Sequence, residues 1–195
     1  IIGGTTALGD TTINAAGTGT IDLFDVGDGS PSAGIDGTLT VGNTSTTEVE
    51  FDGLNYDVSG NILIKSASGE KIKFTDATDA AIDFRTTGSG STIGFDTGTI
   101  KISDRDAAAA ALGITSDNGN ITIAAIEGTH DEDITINSGS GTLAVGAIGV
   151  STVEGINTVI LTSSTGITLS GSITTSNAAG SNVDLNGPVI ISGAV

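Results

Sequence analysis

Aliphatic and polar positions alternate along this chain in short runs, and one five-residue pattern keeps returning: Gly, any residue, aliphatic, any residue, aliphatic. Copies begin at Gly19 (Gly-Thr-Ile-Asp-Leu), Gly37, Gly60, Gly98, Gly119 and Gly141 (Gly-Thr-Leu-Ala-Val), in steps of 18, 23, 38, 21 and 22 residues. The step of 38 is filled by two looser copies, Glu70–Phe74 after Gly69 and Ser91–Phe95 after Gly90. Alternation with period two is the mark of a half-buried strand. A repeat of roughly 20 residues is the mark of a solenoid, in which each unit buries its apolar face on the next.

The same alternation predicts strands near 12–14, 20–24, 38–41, 48–51, 61–64, 71–74, 81–84, 92–95, 99–102, 120–123, 133–136, 142–145, 158–161, 167–169, 173–175, 183–185 and 189–191. Turn formers separate them, most densely over Gly27–Gly34. One segment departs from the pattern. Asp104–Leu112 carries an Asp cap candidate, a run of alanines and a following Gly113, and predicts a short helix over 104–112.

A β-sandwich is the alternative, because it also has strands every 8–12 residues. It needs no motif of fixed period, and its hairpins favour Asn-Gly or Asp-Gly between strand pairs. Here those dipeptides, at Asp28, Asp36, Asp52, Asn118 and Asn186, do not fall regularly between strands. The expectation is an all-β chain, residues 1–195 forming a single parallel β-helix. With about 20 residues per coil it would have nearly ten coils, spaced ~4.8 Å apart. In that arrangement Gly recurs at one corner, where backbones approach closely.

Composition narrows the picture. Aromatics are only 3% of the residues, so the core is expected to be thin and aliphatic. Lys and Arg number 6 against 23 Asp and Glu, a formal net charge of −17, which opposes nucleic acid and anionic membranes. No apolar run is long enough to span a membrane as a helix. There is no Cys, which excludes thiolate chemistry and disulfides.

The run Gly166-Ile-Thr-Leu-Ser-Gly-Ser-Ile-Thr-Thr-Ser176, continuing through Asn177–Val189, resembles the repeats of filamentous-haemagglutinin-like bacterial surface adhesins. Ile2–Asp10 is similar to a linker phrase in the same repeats. The resemblance implies a right-handed parallel β-helix, an extracellular or cell-surface location and a structural or adhesive role in a filament or biofilm matrix.

The candidate chemistry is sparse. Asp25, Asp28 and Asp36 bracket the Gly/Ser/Pro loop, and Asp131 and Asp133 flank Glu132 after His130. Closely spaced carboxylates suit calcium, the one cofactor this sequence invites, although neither stretch matches an EF-hand loop. Asp is also a common turn residue. His130 is the only histidine, too few nitrogen or sulfur ligands for zinc. No nucleophile with a base beside it stands out, so catalysis is not expected. Rows of Thr such as Thr168, Thr174 and Thr175 would form a flat hydroxyl ladder if they stacked. The apolar ends, Ile1 and Ile2 and then Val189, Ile190, Ile191 and Val195, read like the interior of a repeating pattern. They are the expected assembly edges, meeting copies of the chain or flanking repeats. The reading is therefore a structural and adhesive module, with a calcium- or carbohydrate-binding adhesion domain as its alternative and surface glycans as further partners. A polysaccharide-active enzyme is the third class.

Overall fold

Among the described residues strands pair only in parallel, each with a strand one coil earlier or later, so the backbone winds as a β-solenoid. The computed structural model describes residues 7–15, 19–26, 34–69, 71–76, 81–104, 111–149, 155–176 and 178–193. Eighteen strands among them line three faces, met in the same order in successive coils, with single bridges in place of a third-face strand in the first coil and of a second-face strand in the last. Pairing runs between coils, as expected when alternating aliphatic residues must all point to one interior.

The first face stacks two inward columns. One runs Leu39, Ile62, Ile93, Ile121, Leu143, Ile167, Val189; the parallel one ends Ile123, Val145, Leu169, Ile191. The second face carries Ile21, Val49, Ile72, Ile100, Ile126 and Ile148 in register. The third carries Tyr56, Phe84, Ile114, Ile136, Leu161 and Leu185. Except where the columns reach the last coils, these side chains are almost fully buried.

The coil is longer than the sequence motif suggests. Register partners on the first face lie 23, 31, 28, 22, 24 and 22 residues apart from Leu39 to Val189. The structure therefore has about six turns, not ten. The reason is that the five-residue motif marks two faces. Gly37, Gly60, Gly119 and Gly141 open first-face strands, whereas Gly19 and Gly98 precede strands of the second face.

The corner between the first and second faces tightens along the rod. Ten residues separate Leu39 from Val49 and Ile62 from Ile72, but five separate Ile121 from Ile126 and Leu143 from Ile148. In the later coils the two faces are halves of one bent strand, Ile121–Glu127 or Thr142–Ile148.

Two expectations need correcting. The 104–112 segment is not a helix where it is described: Asp104 ends the strand Thr99–Asp104, and Ala111 and Leu112 begin the strand Ala111–Thr115. Residues 105–110 lie outside the described set. Leu112 and Ile114 have period two and stack in register on Ile82 and Phe84, and that burial outweighs alanine's helix preference. Nor is the core purely aliphatic. Phe51, Tyr56, Phe74, Phe84 and Phe95 form one buried cluster, with the Phe51 and Phe74 rings 5.0 Å apart and 14° from parallel. Those two residues are register partners, so the coil spacing itself sets their stack.

The expected glycine corner is present between the third and first faces. A Cβ on Gly119 would overlap the Ser91 carbonyl, and one on Gly141 the Gly119 carbonyl. Beneath them runs a buried hydroxyl column. Ser116 Oγ donates to Gly119 O (2.5 Å), Ser138 Oγ to Gly141 O (2.9 Å) and Ser163 Oγ to Gly141 O (2.7 Å). Main-chain groups leave the ladder at the corner, and these hydroxyls satisfy them.

Gly119→Ala should therefore destabilise strongly, by about 3 kcal/mol or more, since backbone must move. Gly69→Ala meets open space and only the strain of φ +83°, and should cost about 1 kcal/mol. Urea denaturation of the two variants checks the difference; equal losses would mean the corner tolerates a side chain.

Candidate functional site

Side chains pointing outward from the first face also stack in columns. One column alternates Asx and Thr: Asp10, Thr38, Asn61, Thr92, Asn120, Thr142. Each Asx oxygen accepts the backbone N–H of the Thr one coil on, Asp10 from Thr38 (2.7 Å), Asn61 from Thr92 (2.8 Å) and Asn120 from Thr142 (2.9 Å). These N–H groups sit at or just before the first residue of their strands, where the side chain supplies the missing acceptor.

The next outward row reads Thr40, Leu63, Gly94, Thr122, Ala144. Gly94 interrupts it between two larger residues. The gap opens a trough of about 370 Å³ bordered by Asn61, Leu63, Asp96, Asn120 and Thr122. A Cβ at Gly94 would lie 3.1 Å from Leu63 Cδ1 and 3.2 Å from Asp96 Oδ1. The lining thus joins amide groups, hydroxyls, one carboxylate and an aliphatic patch, with no Lys or Arg.

Charge is paired on the neighbouring faces. Lys73 Nζ contacts Glu48 Oε2 (2.7 Å) and Lys71 Nζ contacts Glu127 Oε2 (2.5 Å). The Glu48 hydrogen bond raises the Lys73 pKa above its ordinary value. On the third face Arg85 grips Asp57 through Nε and Nη2, and also lies 3.3 Å from Asp83. Asp57 is 4% exposed, so this guanidinium neutralises a buried carboxylate. The Asp57 hydrogen bond raises the Arg85 pKa, while burial raises that of Asp83. Inside, the Tyr56 hydroxyl accepts from Gly53 N and donates to Leu23 O; burial pushes its pKa well above the usual phenol range.

The acidic loop residues are engaged in holding coils together. Asp25 Oδ1 accepts from Leu54 N (2.7 Å) and Asn55 N (3.0 Å), Asp36 Oδ1 from Ser59 Oγ (3.3 Å), and Asp133 Oδ1 from Thr158 N (3.0 Å). Asp131 has φ 61° and a buried Oδ1 without a hydrogen-bond partner among the described residues. Its neighbour Glu132 is fully buried and accepts from Thr129 N and Thr129 Oγ1, locking the 128–132 corner. Asp28 lies outside the described residues. No three acidic or histidine side chains converge as a metal-ligand group among the described residues.

The expected edge residues divide similarly. Val189, Ile190 and Ile191 form the last first-face strand and are 42%, 58% and 61% exposed. Ile1, Ile2 and Val195 lie outside the described residues. Thr168 does not belong to a Thr row, since its register partners are Ala144 and Ile190. Sequence reasoning missed the trough. The Asx–Thr alternation was its one written signal, legible only once coils of unequal length are aligned. Compared with known proteins, the chain matches no family model, no curated protein and no solved structure.

Arg85→Leu leaves the buried Asp57 carboxylate unpaired and should cost about 2–3 kcal/mol, reduced from the fully buried case because Arg85 is a third exposed. Asp57→Asn keeps a hydrogen-bonding group and should cost about 1 kcal/mol. Urea midpoints at neutral pH compare them, and the reverse order would show that the pair is not what holds this face.

Proposed function

We propose that the chain is a structural and adhesive module of an extracellular bacterial fibre or giant surface adhesin of the filamentous-haemagglutinin-like kind. In this reading its stacking continues beyond the last described rung onto a further coil of like construction. The observation that carries it is that rung itself. Six large hydrophobic residues are exposed among the described residues, and four of them, Val183, Val189, Ile190 and Ile191, lie there. Val189 and Ile191 top columns whose next members, Ile167 and Leu169, are buried. Their exposure is the exposure of an open column end, not of a scattered surface residue.

The rung carries no Lys and a single charge, Asp184, so little on it opposes strand addition. A coil laid on it would bury these side chains and pair the free edges of both sheets. A contact of this type does not close on itself and builds a filament. The resemblance of Gly166–Val189 to adhesin repeats supports the extracellular and adhesive parts of the reading.

The isolated chain is expected to associate end to end. Electron microscopy and light scattering should show rods several molecules long, and the double substitution Val189→Lys with Ile191→Lys should return the chain to monomer without loss of β-structure. A wild-type chain that stays monomeric at high concentration, or filaments unchanged by the substitutions, would remove the end-to-end reading.

A further inference from the structure

We infer that the trough at Gly94 is a binding site for a short neutral oligosaccharide. The inference deepens the adhesive part of the preceding reading by naming a ligand class. It draws on the flank of the rod and not on its ends, so the two can fail separately.

The argument starts from the orientation of two amides. Asn61 Oδ1 accepts Thr92 N and also Thr92 Oγ1 (3.2 Å), and Asn120 Oδ1 accepts Thr142 N. A backbone N–H needs an acceptor, so the oxygen of each amide must face the next coil. The amide orientation is therefore fixed by the fold, and each NH2 group is left to the outer side. Asn61 and Asn120 are two coils apart, which places these donors about 10 Å from one another along the rod axis. Between them lies the floor made by Gly94, with Thr92 on the same column.

Donors held at that separation suit a ligand with hydroxyl groups on successive rings. The exposed Asp96 carboxylate supplies a strong acceptor for hydroxyl donors. Leu63 presents methyl groups toward the same space, a surface for the C–H face of a sugar ring. The volume of about 370 Å³ lies at the small end of ligand sites and fits a short saccharide.

Charge selects among sugars. The lining holds a carboxylate and no cation, within a chain of net charge −17. Sulfated, phosphorylated and uronic acid sugars are repelled, which excludes anionic ligands, and with a single carboxylate among amides and hydroxyls the lining is matched mainly to uncharged hydroxyl groups. No aromatic ring lines the trough, so no stacking platform strengthens the contact, and affinity is expected in the millimolar range, about −4 kcal/mol. Repetition of such modules along a fibre would raise it by avidity.

The test is titration of the intact chain, observed by backbone NMR, with cellotriose, laminaritriose and chitotriose as neutral probes and a trigalacturonate as the anionic one. Shifts confined to residues 61–63, 92–96 and 120–122 are expected with at least one neutral probe, and none with the anionic one. Gly94→Val fills the trough with a strand-favouring residue and should weaken binding at least tenfold while leaving the melting temperature within a few degrees. Asp96→Ala should weaken it several-fold. Silence with all three neutral probes, preferential binding of the anionic probe, or a Gly94→Val variant that is folded and binds as before would overturn the proposal.

Discussion

Parallel, in-register stacking is the constraint from which the rest of this molecule follows. Each coil lies about 4.8 Å from the next, and along the faces strand residues are held over counterparts in the coil before. The interior is consequently a set of columns, not a pool of side chains. A column tolerates only residues whose shapes repeat at that spacing. Isoleucine does so throughout, and Phe51 over Phe74 does so as a near-parallel ring pair. The same spacing governs corners: where backbone must pass directly over backbone, Gly119 and Gly141 have no room for a Cβ.

The constraint acts on polar groups too. Main-chain N–H and C=O groups along the faces are satisfied by neighbouring coils, but those at the corners are not aligned for it. Ser116, Ser138 and Ser163 supply the missing bonds from inside, and Asp10, Asn61 and Asn120 supply them from outside. Acidic residues expected to hold calcium serve the same end. Asp25 and Asp133 accept N–H groups from the following coil. A carboxylate in a turn of a solenoid has an unmet donor within reach one coil away, and this favours coil-to-coil bonding over convergence of several acids on one point.

Much of the fold was legible because a strand buried on one face writes its period directly into sequence. Gly37–Val41, Gly60–Ile64 and Gly141–Val145 are strand entries of one corner, as the repeated motif suggests. What misled was the assumption that equal motifs occupy equal positions. Gly98-Thr-Ile-Lys-Ile has the same pattern but belongs to the second face, so counting motifs shortened the coil. Asn55–Val58 escaped notice because a four-residue strand with two polar members between glycines looks like a turn; only the register of Tyr56 with Phe84 reveals it. Ala111–Thr115 was hidden by alanine's helical preference. The Ser-x-x-Gly phrase at Ser116, Ser138 and Ser163 was readable in the sequence and falls at this corner in three coils, though it also occurs away from it at Ser66 and Ser91. The trough left only the Asx–Thr alternation as a trace in the sequence. It arises from one absent side chain in a cross-coil row, and the row exists only when Leu63 is set against Gly94 across a 31-residue coil.

The irregular part of the solenoid is also where its chemistry gathers. All six Lys and Arg lie between Lys65 and Arg105, and the ring cluster lies between Phe51 and Phe95. The trough sits among these same longer coils. Beyond them the coils settle to 22–24 residues, hold no cation, and present Thr, Asn and Ser outward up to the open last rung. A longer coil has corner residues to spare, which can carry side chains that a minimal coil has no room to display. A minimal coil is bound to its neighbours by nearly every backbone group and suits extension. In the reading proposed here the two tasks would separate along the axis, recognition at the longer coils of mid-rod and elongation at the last described rung.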